Sequence, residues 1–533
     1  MSKRRLALPF FILLAAAAAG TLVLAIPSAE YRPNKPNIVI ISIDSLRADH
    51  MGIYGYARDT TPRIDAYAQG AAVFDNYFST SPITPISAAS VQTGQYPLRN
   101  GIINFETNFA PGVATLAETL QQEGWRTAAF GSSPELLGTL RASFSQGFDT
   151  FSVYKKLPEV TESGVPDFLR SAASSVGIDL AQAPQKAPML RRNAIPVAEA
   201  TTWIREGGEK PFYLWFSIGS VHWPYGSGIP NRFSSADYSG FLDAERFQSN
   251  PLNKDIPLFQ GLYGRIYGGA LYNSSQTIVS TELARDIAHL IDSYDDGVSY
   301  TDRQLGPLLA LLSSPAYRTN TIVIIESEHG EDLGEHGYIA HYDVLGTQTH
   351  VPLIIRGPGV LPGRVAGLAS GVDVAPTLYD LLDLSHKALD GVSQIETITE
   401  GTPARDAVFL TRTPLWERII AYSEPWLQPF VSLDNKEHFY DTAIRTDEWL
   451  LVHRRSREIL HTYSWYGRLS GKPIALPEYE LYSVANDPFE LQDVYAEHAG
   501  DVAPLRARLS LWEREMAAVA PGPQAEEEGQ PYF

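Results

Sequence analysis

Cysteine is missing from all 533 positions. Its absence excludes disulfides, thiolate metal sites and a thiolate nucleophile, and it leaves the redox compartment undetermined. Basic clusters are scarce too: after the opening "MSKRR" no run of Lys or Arg exceeds two residues, and the net charge is −19. A chain of that sign does not suit a phosphate backbone, so nucleic acid is not an expected partner. An anionic substrate must then be held locally, by a metal, a helix N-terminus or a few His and Arg side chains. No internal repeat is present. What the chain does have is 44% apolar and 11% aromatic residues, enough to bury one large core or two smaller ones.

Leu6 to Ile26, directly behind the basic flank, is an uncharged, largely apolar stretch. At about 1.5 Å per residue it spans roughly 30 Å, the thickness of a bilayer's hydrocarbon core. Residues 1–29 are therefore expected to anchor the chain in a membrane. The alternative is a signal peptide cleaved near Val23-Leu24-Ala25. Either way the positive flank stays cytoplasmic, and the bulk of the chain is expected to be exported, facing the periplasm or the cell exterior. Residues 30–36, inside the Pro-rich "PSAEYRPNKP", read as an extended linker.

Beyond the linker, "NIVIISI" and "NTIVIIES" are continuous apolar, β-branched runs of the kind buried on both faces of a sheet. Amphipathic segments such as "GVATLAETLQQEGW" and "DIAHLIDSYDDGVSYTDRQLGPLLALL" alternate with short strand-like runs, "RTAAFGS" and "PFYLWFSIG". The alternation predicts an α/β domain over 37–395, with a mainly parallel sheet between helical layers. Over 396–516 the pattern changes to short antiparallel strands, such as "HFYDTAIRTDEWLLVHRR" and "YELYSVANDPFE", and a closing helix. Residues 517–533, polar and rich in Pro, Gly and Glu, read as a disordered tail.

Ligands of open α/β sheets sit beyond the carboxyl ends of the strands. Asp44 directly follows "NIVIISI", and Glu328 and His329 directly follow "NTIVIIE" and Ser327. Carboxylates and an imidazole meeting there would suit Mn²⁺, Zn²⁺ or Mg²⁺, and Ca²⁺ less well. Thr84 stands before Pro85 at the head of "PISAASVQTG". That is the pattern of an N-cap followed by Pro at the first helical position. Its hydroxyl would then lie at a helix N-terminus, where an anion is favoured. The residues alone allow a cap or a reacting group.

From about Asn37 to Glu515 the chain resembles the sulfatase family of the alkaline phosphatase superfamily, with eight matching segments in family order. "NIVIISIDSLRADHMGIYGY" resembles the opening metal strand and "TTPRIDAYAQGAAVFDNYF" the helix after it. "TPISAASVQTGQYPLRNG" is similar to the nucleophile segment, "HWPY" to a substrate-side His segment and "ESEHGEDLGEHG" to the second metal strand. "HVPLIIRGPG", "SGVDVAPTLYDLL" and the pair "AIRTDEWLLV" and "YELYSVANDPFE" are similar to later landmarks. The resemblance implies an αβα sandwich with a small C-terminal antiparallel sheet and helix. It makes Asp44, Thr84, Glu328 and His329 metal ligands and Thr84 the nucleophile. His222 and His341 become catalytic and substrate-facing residues, and His336 a further substrate-facing histidine.

The chain also departs from the family pattern. Formylglycine-dependent sulfatases carry CxPSR or SxPSR, and "TPISA" lacks the Cys, the aligned Pro and the Arg. The second Asp of the usual pair is Ser45, "FGSSPELLG" lacks the Lys and His of "GKWH", and a metal Asp is lengthened to Glu328. Threonine does not yield formylglycine, so the resemblance implies a metal-dependent hydrolase or transferase of phosphate esters working through Thr84. The substrate expected is an anionic ester, with lipid and envelope-polymer phospho-groups included. The alternatives are a sulfatase working without formylglycine and a non-catalytic envelope-binding protein. Specificity is expected within Val153 to Lys210 and Gly226 to Gln276.

Overall fold

The computed structural model describes residues 35–105, 107–132, 140–153, 187–222, 225, 232–235, 237–238, 281–336, 339–341, 343–387, 389–412, 441–455 and 477–519. The expected anchor, nearly all of the linker, much of the two specificity stretches and the chain from 520 onward lie outside these residues. Among the described residues no helix is long and apolar enough to cross a membrane.

The large sheet has eight strands. They are β1 (Asn37–Ile43), β2 (Ala72–Phe78), β3 (Arg126–Gly131), β4 (Thr150–Val153), β5 (Phe212–Ile218), β6 (Thr321–Glu326), and, after the short β7 (Asp332–Leu333) and β8 (Ile339–Ala340), β9 (Leu353–Arg356) and β10 (Gly363–Ser370). Their spatial order is β10-β2-β9-β6-β1-β5-β3-β4. Only β9 runs against its neighbours in this sheet. β1 lies at the centre, parallel to β5 on one side and to β6 on the other. All seven of its residues are buried, which is why its sequence is a continuous apolar run rather than an alternating one.

The side-chain alternation of β1 divides the core in two. Val39, Ile41 and Ile43 pack with α1 (Pro62–Ala68), α4 (Ala187–Glu206) and α5 (Thr281–Leu312). Ile38 and Ile40 pack on the other face, with α2 (Thr84–Thr93), α3 (Leu116–Gln122) and α6 (Val374–Leu381). α3 opens on a capping box in which Thr115 and Glu118 satisfy each other's backbone N–H groups. α2 closes at Gly94, whose φ of 66° is the left-handed conformation a glycine C-cap adopts. A Cβ at Gly94 would stand 2.8 Å from Leu389 Cδ1, the mobile end of a side chain, so the left-handed φ is the stronger reason for glycine here.

β11 (Val408–Arg412), β12 (Asp441–Arg445), β13 (Trp449–His453) and β14 (Tyr479–Ser483) form a second, antiparallel sheet in that order. α7 (Ala503–Val519) packs on it through Leu509, Trp512 and Met516. The helix runs past residue 517, where the tail was expected to begin. Met516 is buried, and no helix-breaking residue occurs before Pro521, so the helical pattern continues to Val519.

The small sheet grips the segment that follows β6. Arg454 Nη1 donates to Asp343 at 2.6 Å and Nη2 to Glu480 at 2.6 Å. Glu490 accepts from both Gly346 N–H and Arg445. The loop carrying His341 is thus tied to a second domain layer by buried charge pairs.

Candidate active site

Asp44 is the first residue after β1. Its N–H donates to the Ile218 carbonyl at 3.0 Å, holding the strand end in the sheet. The next residue, Ser45, has φ 64°. A non-glycine residue in that region costs on the order of 1 kcal/mol or more. Tyr294 compensates by donating its hydroxyl to the Ser45 carbonyl at 2.7 Å, and the Ser45 hydroxyl donates to Asp44 Oδ1 at 3.2 Å. The sharp turn leaves Asp44 at the sheet's carboxyl edge.

Thr84 is the first residue inside α2, not its N-cap. Ile83 occupies the cap position, and no side chain bonds the helix end. Pro85, lacking an N–H, fits the first turn without loss. Freed from capping, the Thr84 hydroxyl lies 3.0 Å from His329 Nε2 and 3.4 Å from Asp44 Oδ1. His329 Nε2 and Asp44 Oδ1 are themselves 3.3 Å apart.

Those three distances carry chemical information. His329 Nδ1 lies 2.9 Å from the Gly330 carbonyl and must donate to it, so Nε2 bears a lone pair. Burial, with the neighbouring His341, drives the ring's pKa well below its ordinary value and keeps it neutral. Asp44 Oδ1 and His329 Nε2 are then two acceptors facing each other. Ligands about 2.0–2.2 Å from a common cation stand roughly 3.0–3.4 Å from one another in octahedral or tetrahedral arrangement. The observed trio has that spacing, so its donors fit a divalent cation.

Glu328 is fully buried at the end of β6, with its Oε1 3.4 Å from the Ser217 hydroxyl on β5. β1 lies between β6 and β5, so the Glu328 carboxylate reaches across the end of β1, where Asp44 stands. Beneath them, Ser42 donates to Glu326 and accepts from Trp215 Nε1 at 3.0 Å. Burial raises Glu326 to about 7, against the hydrogen bond from Ser42.

A second group adjoins the first. The His341 ring lies 4.1 Å from that of His329 and 5.0 Å from that of His222, centroid to centroid. His341 Nδ1 is 3.0 Å from Glu331 Oε1, and the Tyr225 hydroxyl donates to Glu331 Oε2 at 2.7 Å. Burial would raise the Glu331 pKa, but His341, His222 and Tyr225 together hold it below the usual carboxylate range. One potential ligand atom each of His222, Glu331 and His341 lies within 4.8 Å of the others.

The fold therefore brings Asp44, Thr84 and His329 into contact, leaves Glu328 against Ser217 on β5, and sets the His341 ring tilted over His329 with His222 edge-on to His341. His336 goes elsewhere. Its Nδ1 bonds Asp332 and its Nε2 the Phe489 carbonyl at 2.7 Å, so both nitrogens face protein groups at the junction with the small sheet. Its ring is a structural tie, which corrects the substrate-facing role implied by "GEHG". Sequence reasoning missed Glu331, Tyr225 and Ser217. Glu331 had a signal, being two residues beyond His329 in an unusually acidic string. Tyr225 had a weaker one, three residues after His222. The Ser217 contact depends on sheet order and leaves no local trace.

The sulfatase family profile matches residues 36–384. The chain is 25% identical over 430 residues to a choline-sulfatase of Rhizobium meliloti, covering 76% of this chain and 80% of that protein. It is 24% identical to an N-acetylglucosamine-6-O-sulfatase of Bacteroides thetaiotaomicron, over 92% of this chain and 88% of the relative. Its fold is similar to the crystal structure of the phosphonate monoester hydrolase of Agrobacterium radiobacter, with TM-score 0.63 and 22% identity over 91% of this chain and 96% of that one. Profile, relatives and fold agree: this chain belongs to the sulfatase family and is a hydrolase acting on ester bonds.

Proposed function

We propose that the protein cleaves or transfers a phosphate-type ester through a covalent intermediate on Thr84. The observation that carries this reading is the Thr84 hydroxyl, turned away from helix capping and set 3.0 Å from His329 Nε2 and 3.4 Å from Asp44 Oδ1. Asp44, Thr84, Glu328 and His329 would hold a divalent cation. Bound there, such a cation would favour ionisation of the hydroxyl and neutralise charge on the non-bridging oxygens.

The chain's own groups carry the rest. The Thr84 hydroxyl gives up its proton to solvent as Oγ1 bonds phosphorus in line with the leaving oxygen, whose bond to phosphorus breaks. The positive end of the α2 dipole lies beside the developing charge. His341 or His222 supplies a proton to the departing oxygen. Water, or an acceptor alcohol or amine, then takes the group from Thr84, whose oxygen regains its proton from solvent.

A second reading, hydrolysis of a sulfate ester by the same hydroxyl, is favoured by the relatives, several of which are described as sulfatases. The phosphonate monoester hydrolases among the structural neighbours favour phosphorus. The test is turnover of aryl phosphate, phosphodiester, phosphonate monoester and sulfate by purified protein, with and without chelator, beside Thr84→Ala. Chelator-sensitive turnover of a phosphorus ester that vanishes in Thr84→Ala is expected. Activity confined to the sulfate would favour the second reading, and full activity in Thr84→Ala would remove the nucleophile.

A further inference from the structure

The reaction above leaves one buried carboxylate in the site without a task. Glu331 is wholly buried, a costly place for an anion unless its oxygens are satisfied. Its Oε1 faces His341 Nδ1 at 3.0 Å, and its Oε2 accepts from the Tyr225 hydroxyl at 2.7 Å. Its main chain is fixed as well. Arg47 Nη1 donates to the Glu331 carbonyl at 3.0 Å, and the same guanidinium is held by Asp49 and Glu335. The carboxylate is therefore braced at the backbone and at both oxygens, with one oxygen given to an imidazole.

We infer that Glu331 is a positioning residue that holds His341 as the proton donor to the leaving oxygen. By accepting from Nδ1 it fixes the ring plane and the tautomer, so that Nε2 is the atom that gives and regains a proton. This rests on the ester-transfer reading. When the bond from phosphorus to the leaving oxygen breaks, its electron pair stays on that oxygen. The Nε2–H bond breaks toward it, and the product departs as a neutral alcohol. His341 is left neutral, with Nδ1–H still on Glu331. In the second half, the water that attacks the Thr84 ester returns a proton to Nε2.

His222, Glu331 and His341 also have the spacing of a metal site. The orienting role is favoured because both Glu331 oxygens already serve protein donors.

The test compares two leaving groups in the purified full-length protein. A nitrophenolate departs without needing a proton, whereas an alkoxide needs one. In Glu331→Gln, kcat/KM for the nitrophenyl ester should stay within about three-fold of the unmutated protein, while the alkyl ester of the same acid loses roughly 100-fold or more. Tyr225→Phe, which keeps the Glu331 to His341 contact, should cost the alkyl ester about ten-fold and spare the nitrophenyl ester. It carries the test if Glu331→Gln does not fold. Equal slowing of both esters would overturn the inference, as would loss of a bound metal equivalent in Glu331→Gln, which would make the residue a ligand. Absence of turnover of either ester by the unmutated protein would overturn the ester-transfer reading, and this inference with it.

Discussion

His329 and His341 lie with ring centroids 4.1 Å apart and planes tilted by 33°, yet their Nδ1 atoms face different acceptors. His329 faces the Gly330 carbonyl at 2.9 Å, and His341 faces the Glu331 carboxylate at 3.0 Å. A neutral acceptor behind the first ring leaves it an uncharged lone-pair donor, as a metal ligand must be. An anion behind the second is the arrangement that orients a proton-transferring imidazole. On the proposed reading, two adjacent rings differ in task because of one backbone oxygen and one side chain.

The nucleophile assignment predicts a graded series at position 84. Thr84→Ala should lower kcat/KM by about 10³-fold or more, and Thr84→Ser, which keeps the oxygen, should retain most of the activity. Steady-state kinetics with an aryl ester, alongside a check of unchanged thermal unfolding, measures this.

The ligand assignment predicts metal-linked stability. Adding Mn²⁺, Zn²⁺ or Mg²⁺ to chelator-stripped protein at about a hundred times its Kd should stabilise it by roughly 2.7 kcal/mol. Asp44→Asn and His329→Ala should each abolish most of that gain. Thermal unfolding with and without metal reads the difference. An equal gain in the variants would place the ion elsewhere.

His336 predicts a pH dependence of opposite sign to that of an ordinary salt-bridged carboxylate. Burial opposes its charge, but Asp332 beside Nδ1 outweighs burial and raises the pKa to about 9. A folded-state pKa raised above the unfolded value near 6.5 means stability that is fully present below about pH 6.5 and fades as pH rises through about 9. The stability gap between the unmutated protein and His336→Asn should therefore be widest near pH 6 and narrow by pH 9 to 10. Denaturant unfolding across that range reads it.

Much of this was legible in the sequence, for identifiable reasons. β1 and β6 announced themselves because both their faces are buried, and Asp44, Glu328 and His329 because they immediately follow those strands. Thr84 was ambiguous because Thr-Pro reads as cap and first helical residue. The choice was made by Ile83 taking the cap position, which depends on how the loop enters the helix. His336 misled because the same "GEHG" string serves as a structural tie when Phe489, 153 residues away, offers its carbonyl. Ser217 and Tyr225 were illegible because their contacts are set by strand order and loop path.

The junction between the two domain layers gives a stability prediction. Arg454 is nearly buried and bonds Asp343 and Glu480, with Asp441 3.6 Å away. Arg454→Ala would leave Asp343 and Glu480 without their main cation, Asp441 keeping Arg412 at 2.9 Å, and should destabilise the protein by roughly 3 kcal/mol or more. Chemical denaturation measures it, and a change below about 1 kcal/mol, as for an exposed pair, would show that water already screens the cluster.

The most direct measurement is mass spectrometry of protein quenched during turnover of a phosphorus ester and then digested. The expected result is one added phosphoryl group on the peptide containing Thr84, absent from Thr84→Ala and from protein kept in chelator. A turning-over enzyme with no adduct at Thr84, or with the adduct on another residue, would contradict the covalent role of that hydroxyl.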